Sequence, residues 1–337
     1  MVSEAVSAAI YGCSGLTLTD EEQAFFADQK PFGFILFARN IDTPDQVRAL
    51  TASMRAAAGR PDAPILIDQE GGRVQRLRPP HWRQARPARD FGDLYRRDAE
   101  AALDALRLNY RLIAQDLFDL GIDVDCVPCL DVPVPGAHDI IGDRAFSTDP
   151  EIVSVCGRAA CEGLMQGGVS PVIKHVPGHG RATADSHHDL PRVSVSLDKL
   201  MASDIVPFRR LRDMPYGMTA HIVFDAIDPD RPLTQSESGI AFIRDTLEFD
   251  GLLMTDDLSM KALGGGFADR AASSLAAGCD LVLHCNGDMS EMRAVAEGTG
   301  TLSPDTQRRL RDVPSPAKPA SEFDSAAALA RLEDLFL

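Results

Sequence analysis

Eight times along this chain a short apolar run closes on a polar or small residue and gives way to a helical pattern. The runs are Ala8–Gly12, Gly33–Phe37, Pro64–Asp68, Asp123–Val127, Ser170–Lys174, Gly217–His221, Leu252–Asp256 and Asp280–His284. Strands that alternate with helices must pair in parallel, because each crossover carries the chain back to the same sheet end. Eight such units in about 300 residues predict an α/β chain closed into a (β/α)8 barrel. The alternative is an open, doubly wound sheet. Its dinucleotide-binding form needs a glycine fingerprint after the first strand, and Gly12-Cys13-Ser14-Gly15 does not match it.

Between the strands, helical patterns are predicted over Asp20–Asp28, Pro44–Ala58, Ala99–Leu120, Pro150–Gln166, Leu197–Arg212, Ser236–Leu247, Phe267–Ala277 and Met289–Ala296. Thr19 and Thr43 stand where N-caps belong, and Pro44 fits a first helical position. No Pro/Ser-rich linker interrupts the chain before Pro314-Ser315-Pro316-Ala317-Lys318-Pro319. The expectation is therefore one domain over 1–337, with a last helix over 321–336 packed outside the barrel.

In a barrel of this kind, reacting groups gather at the C-terminal ends of the strands. Five of the eight runs end in a titratable side chain: Asp68, Lys174-His175, His221, Asp256-Asp257 and His284. The longest polar loop follows the fifth run, from Lys174 to Pro191, and holds four histidines. Pro177, Gly178 and Gly180 forbid an immediate helix there. His175 and His179 have the i, i+4 spacing of a zinc pair, but Pro177 and Gly178 between them remove the helix that geometry requires.

Asp185-Ser186-His187 is more informative. A carboxylate two residues before a histidine on extended chain can hold one ring nitrogen and leave the other for proton transfer near neutral pH. Asp68-Gln69-Glu70-Gly71-Gly72-Arg73-Val74-Gln75-Arg76 sends a carboxylate out of the sheet, turns on two glycines and returns an arginine. Asp68 and Arg76 then suit sugar hydroxyls, or simply pair with each other. Glu70 and Arg73 lie in the same segment with no assigned role. Arg144, in Ile141-Gly142-Asp143-Arg144, is by itself a surface arginine. Asp256 can be a nucleophile, a metal ligand or a helix cap.

The formal net charge is -16, which argues against nucleic acid or an anionic membrane as partner. No run approaches the ~20 apolar residues of a spanning helix, and Met1 to Gly15 lacks the pattern of a signal peptide. Seven scattered cysteines fit a reducing compartment, so a cytoplasmic location is expected. Cys126-Val127-Pro128-Cys129 has redox spacing but no helix behind it, and reads as structural thiols.

Together, Gly33-Phe34-Ile35-Leu36-Phe37, the Asp68–Arg76 segment, Lys174-His175-Val176-Pro177-Gly178-His179-Gly180, Asp185-Ser186-His187 and Thr255-Asp256-Asp257-Leu258-Ser259-Met260 resemble glycoside hydrolase family 3. The likeness is to its short, single-domain bacterial β-N-acetylglucosaminidases of cell-wall recycling, and it covers nearly the whole chain. Val176 replaces the family's usual phenylalanine and Thr255 a common serine; neither change removes a reacting group.

The resemblance implies a retaining exo-β-N-acetylglucosaminidase acting on muropeptide fragments, GlcNAc-1,6-anhydroMurNAc-peptides, through a glycosyl-aspartate. Asp256 would be the nucleophile and His187 the general acid/base, with Asp185 orienting it. Asp68, Arg76, Arg144, Lys174 and His175 would hold the terminal sugar. It implies no cofactor and no metal, and a small carbohydrate partner, muropeptide or chitobiose-like; the chain is expected to act as a monomer. Other readings are a different sugar or a phosphorylase within the family, a metal-dependent hydrolase using His175, His179, His221 and Asp256, and an inactive sugar-binding module.

Overall fold

A computed structural model describes residues 6–136, 139–182, 190–313 and 323–337. Eight parallel strands form a closed barrel. They are β1 (Ser7–Tyr11), β2 (Pro31–Leu36), β3 (Ile65–Ile67), β4 (Val124–Asp125), β5 (Ser170–Val176), β6 (Tyr216–Thr219), β7 (Leu252–Asp257) and β8 (Leu281–His284). Each corresponds to one of the eight runs read from the sequence. Closure is made by β1 against β8, with Ala9 opposite Val282 and Ile10 opposite Leu283.

The two-residue period of a strand sorts the side chains. Ala8, Ile10, Leu66, Val124, Cys126, Val172, Tyr216, Met218, Leu252, Met254, Leu281 and Leu283 share one buried cluster inside the barrel. Ala9, Tyr11, Ile65, Ile67, Ile173, Leu253 and Val282 belong to the second cluster, shared with the helices. Continuing the inner register by two residues places Asp68 above Leu66, Lys174 above Val172 and Asp256 above Met254. The pattern that fills the barrel thus also delivers three charged groups to its mouth.

The helices follow ordinary capping chemistry. Thr19 caps α1 (Asp20–Gln29) in a reciprocal box with Glu22. Thr43 caps α2 (Pro44–Ala58), with Pro44 in its first turn. Helix α3 (Ala88–Arg97) was not legible in the sequence; it precedes the long α4 (Ala99–Asp119), and α5 (Pro150–Gln166) packs on α4.

The helix expected over 197–212 is broken into α6 (Leu197–Met201) and α7 (Val206–Arg210). Pro207 stands in the first turn of the second piece, where a missing N–H leaves no helical bond unmade. The segment expected over 236–247 runs as α8 (Glu237–Ala241) and then a π-helical turn, Phe242–Thr246. Helices α9 (Phe267–Ala277) and α10 (Met289–Glu297) follow, and α11 (Pro304–Asp312) is a further element the sequence reading lacked. The last helix, α12 (Ser325–Asp334), lies against α4, and Phe336 just beyond it meets Phe91 of α3 edge-on at 5.2 Å.

Candidate active site

The barrel mouth holds a cleft of about 350 Å³. Asp68, Arg76, Arg144, Lys174, His175 and Asp256 all line it, beside an apolar side made by Ile35, Phe37, Met218, Met260 and Leu283. Six of the eight site residues expected from the sequence therefore share one cavity. The other two, Asp185 and His187, lie outside the described residues.

Asp68 leaves β3 and meets two cations. Lys174 Nζ donates to its Oδ1 at 2.7 Å, and Arg76 Nη2 to its Oδ2 at 2.9 Å. Burial works to raise the Asp68 pKa, but Lys174 and then Arg76 outweigh it and hold the carboxyl well below the usual range. A short antiparallel ribbon, Gln69–Gly71 with Val74–Gln75, returns the chain to Arg76. Its turn needs glycine: Gly71 has φ +96°, and a Cβ there would sit 2.3 Å from the Arg86 carbonyl oxygen. The sequence left open whether Asp68 and Arg76 merely pair. They do pair, yet Asp68 also carries Lys174 and faces the cleft.

Glu70 is more central than its sequence context suggested. It is buried, takes both Nε and Nη2 of Arg144 at 2.9 and 2.8 Å, and lies 2.7 Å from Lys174 Nζ. Burial opposes the charge, but Arg144 and Lys174 bring its pKa down to about 2. Lys174, 2 % exposed, is pushed upward by Asp68 and Glu70 against the penalty of burial, so it stays charged. Arg73 has a different task. Its guanidinium donates to the carbonyls of Asp139 and Ile140 and pairs with Asp143, clamping the loop that bears Arg144.

Asp131 is a residue the sequence reading missed. Fully buried, its Oδ2 lies 2.7 Å from His175 Nδ1, and its Oδ1 accepts the backbone N–H groups of His175 and His179. Burial works to raise the Asp131 pKa, but His175 outweighs it and keeps the carboxyl ionised. An ionised carboxylate only accepts, so Nδ1 of His175 carries a hydrogen. The available signal was a lone carboxylate inside the apolar stretch from Val127 to Val134. His179 packs edge-on to His175 and, chiefly through burial, has its pKa lowered to about 4, so it is neutral.

Asp256 closes β7. Its Oδ1 accepts the N–H of Asp257 at 2.8 Å. The Asp257 carboxylate in turn accepts from Ser259 and from the backbone N–H of Cys285. Its carbonyl accepts from His221 Nε2 at 3.2 Å, while His221 Nδ1 meets Thr234 Oγ1 at 2.8 Å. His221 thus supports the end of β7 and does not line the cleft. His284 also lies outside it, buried against Phe267 and 3.3 Å from Glu291.

The metal quartet considered above is not gathered among the described residues. The group of possible ligands found there is Cys129, Asp131 and His175, and its hydrogen bonds already converge on Asp131 Oδ2. All seven cysteines are free and buried. Burial pushes the Cys126 and Cys129 thiols well above their ordinary range, which suits structural thiols.

The model of the glycosyl hydrolase family 3 N-terminal domain matches residues 5–311. The chain belongs to glycosyl hydrolase family 3. A β-hexosaminidase of Alkalilimnicola ehrlichii is 40% identical over 280 residues, covering 82% of this chain and 79% of the relative. A β-hexosaminidase of Methylococcus capsulatus is 38% identical over 301 residues, 88% of each chain. The crystal structure of NagZ from Neisseria gonorrhoeae superposes with a TM-score of 0.88 at 33% identity, covering 98% of both chains. That protein has also been seen in complex with N-trifluoroacetyl-D-glucosamine. No helix among the described residues of this chain is long and apolar enough to cross a membrane.

Proposed function

We propose that this family 3 hydrolase is a retaining exo-β-N-acetylglucosaminidase that removes terminal GlcNAc from muropeptide fragments. The observation that carries the reading is the shared cleft: a carboxylate at the end of β7 stands in one cavity with Asp68, Arg76, Arg144, Lys174 and His175. Arginine, lysine and carboxylate side chains offer the directional donors and acceptors that sugar hydroxyls require. The similarity to β-hexosaminidases, and to a relative that holds an N-acylated glucosamine, supports this sugar over glucose.

Two steps account for retention. Asp256 attacks the anomeric carbon, the glycosidic bond breaks, and the departing oxygen takes a proton from the His187 imidazolium. Water then attacks the glycosyl-Asp256 ester while neutral His187 accepts its proton. The carboxylate is freed and the sugar leaves with its original anomeric configuration. The hydrogen bond from the Asp257 N–H fixes one Asp256 oxygen and so limits how the carboxylate can turn. Asp185 orients and charges His187. A histidine in this role avoids placing a second anion beside Asp256 during attack. No metal or cofactor is called for.

A reducing, cytoplasmic setting accords with seven unpaired, buried thiols. The charge of -16 makes nucleic acid an unsuitable partner. We take the working form to be a monomer.

Side-by-side assay of aryl N-acetylglucosaminide and aryl glucoside, with phosphate added and omitted, tests the reading. The expected result is turnover of the first at least tenfold above the second, independent of phosphate. Preference for glucoside, or a rate that requires phosphate, would replace it with another member of the family.

A further inference from the structure

Glu70 does not line the cleft, yet it holds two side chains that do. Its Oε2 accepts from Arg144 Nε at 2.9 Å; its Oε1 accepts from Arg144 Nη2 at 2.8 Å and lies 2.7 Å from Lys174 Nζ. The two cations come from different places. Arg144 sits in the short 3-10 turn Gly142–Arg144 beyond β4, whereas Lys174 belongs to β5. Glu70 is 5 % exposed, and the side chains of Arg144 and Lys174 are 11 % and 2 % exposed, so these charges meet with little water between them.

The charges of this wall can be counted. Asp68 and Glu70 are negative; Lys174, Arg76 and Arg144 are positive. This five-group cluster is formally one charge positive, and Asp256, Asp257 and Arg73 on the same cleft bring the sum to zero; without Glu70 the balance would be positive. Lys174 would then have only Asp68, whose other oxygen already serves Arg76. Arg144 would lose both of its bidentate bonds, which are what fix the plane of its guanidinium.

We propose that Glu70 is a positioning and specificity residue: it locks Arg144 and Lys174 in place and sets the charge of the wall, so that the cleft takes an uncharged sugar and not an anion. This rests on the sugar-hydrolase reading above. Orientation of donors for hydroxyl groups contributes equally to bound substrate and transition state, so its loss falls on KM. An extra unneutralised positive charge in a poorly hydrated pocket attracts small anions.

Glu70→Gln keeps the shape and removes the charge, and Glu70→Asp keeps the charge on a shorter arm. For Glu70→Gln we expect KM for the aryl N-acetylglucosaminide to rise at least tenfold with kcat within threefold. Inhibition by inorganic phosphate should appear at concentrations that leave the wild type unaffected. Glu70→Asp should remain phosphate-insensitive, and Arg144→Gln added to Glu70→Gln should abolish the new inhibition. Thermal melting of each variant confirms that it is folded.

A folded Glu70→Gln enzyme with unchanged KM and no phosphate inhibition overturns the proposal. So does a loss confined to kcat. Should Glu70→Gln fail to fold, Glu70→Asp decides through KM: a rise of less than twofold counts against the positioning role. If the wild type turns over no glycoside, the functional reading has failed; calorimetric titration with phosphate still decides for Glu70, since only the Gln variant should bind it.

Discussion

Asp125 shows how one buried carboxyl can govern the response of this protein to pH. It closes β4 with no exposure, and its Oδ1 accepts the Gln69 N–H at 2.9 Å. Its Oδ2 has no hydrogen-bond partner among the described residues. Burial pushes its pKa up to about 8, only partly countered by the Gln69 bond. In the unfolded chain the group titrates near an ordinary aspartate value, about 4. Below that pH both states hold the proton and the stability linked to this group is full. Between the two values only the folded chain keeps it, so stability falls by about 1.4 kcal/mol per pH unit until the folded carboxyl titrates. Asp125→Asn retains the acceptor for Gln69 and removes the titration. Urea unfolding at pH 5 and pH 8 should show a smaller loss for the variant than for the wild type. Asp116 and Asp123, both raised to about 6 chiefly by burial, titrate in the same window but are common to both proteins. Equal losses would show that Asp125 ionises normally.

Among the elements, the two ends of the barrel strands do different work. At the end remote from the cleft, Asp280 at the start of β8 accepts from four groups. Arg244 and the backbone N–H of Leu253 share its Oδ2, and Thr306 and Arg309 share its Oδ1. These bonds tie β7, β8, the π-helical turn and α11 together. Asp280→Ala removes the carboxylate from two largely buried arginines, leaving Arg309 with Asp250 and Arg244 with the carbonyls of Phe249 and Gly251, and should cost about 3 kcal/mol. Denaturant titration should show this as a lower midpoint at unchanged slope, with KM unaffected. A loss under 1 kcal/mol would mean that water replaces the carboxylate without penalty.

Reading elements from the sequence succeeded where a residue's neighbours along the chain decide its state. The eight strands are buried on both faces, so they stand out as apolar runs, and Thr19 and Thr43 cap through local bonds. It failed where tertiary contacts decide. Helix α3 carries Arg89, Arg96 and Arg97 and buries only a narrow stripe, so its periodicity is faint. Asp131 and Glu70 act through partners 44 and 74 positions away, a separation that no local pattern encodes. His221 and His284 end strands as reacting groups do, but His221 supports the end of β7 and His284 is buried against Phe267, both outside the cleft. Asp68, Lys174 and Asp256 were legible because strand alternation alone aims them into the barrel mouth.

At the scale of the whole molecule, the chain carries a charge of -16 and yet concentrates Arg76, Arg144 and Lys174 around one cleft. That contrast is affordable because each of these cations is matched by Asp68 or Glu70 at close range, so the cavity offers directed donors without becoming an anion trap. On the function proposed above, Asp256 bonds covalently to the sugar during turnover. Incubation with an activated fluoro-sugar bearing the N-acetylglucosamine configuration, followed by proteolysis and mass mapping, tests it directly. The expected result is stoichiometric labelling of the peptide containing Asp256, and none in Asp256→Ala. A label on another residue, or complete turnover with no covalent adduct at any time point, would contradict it.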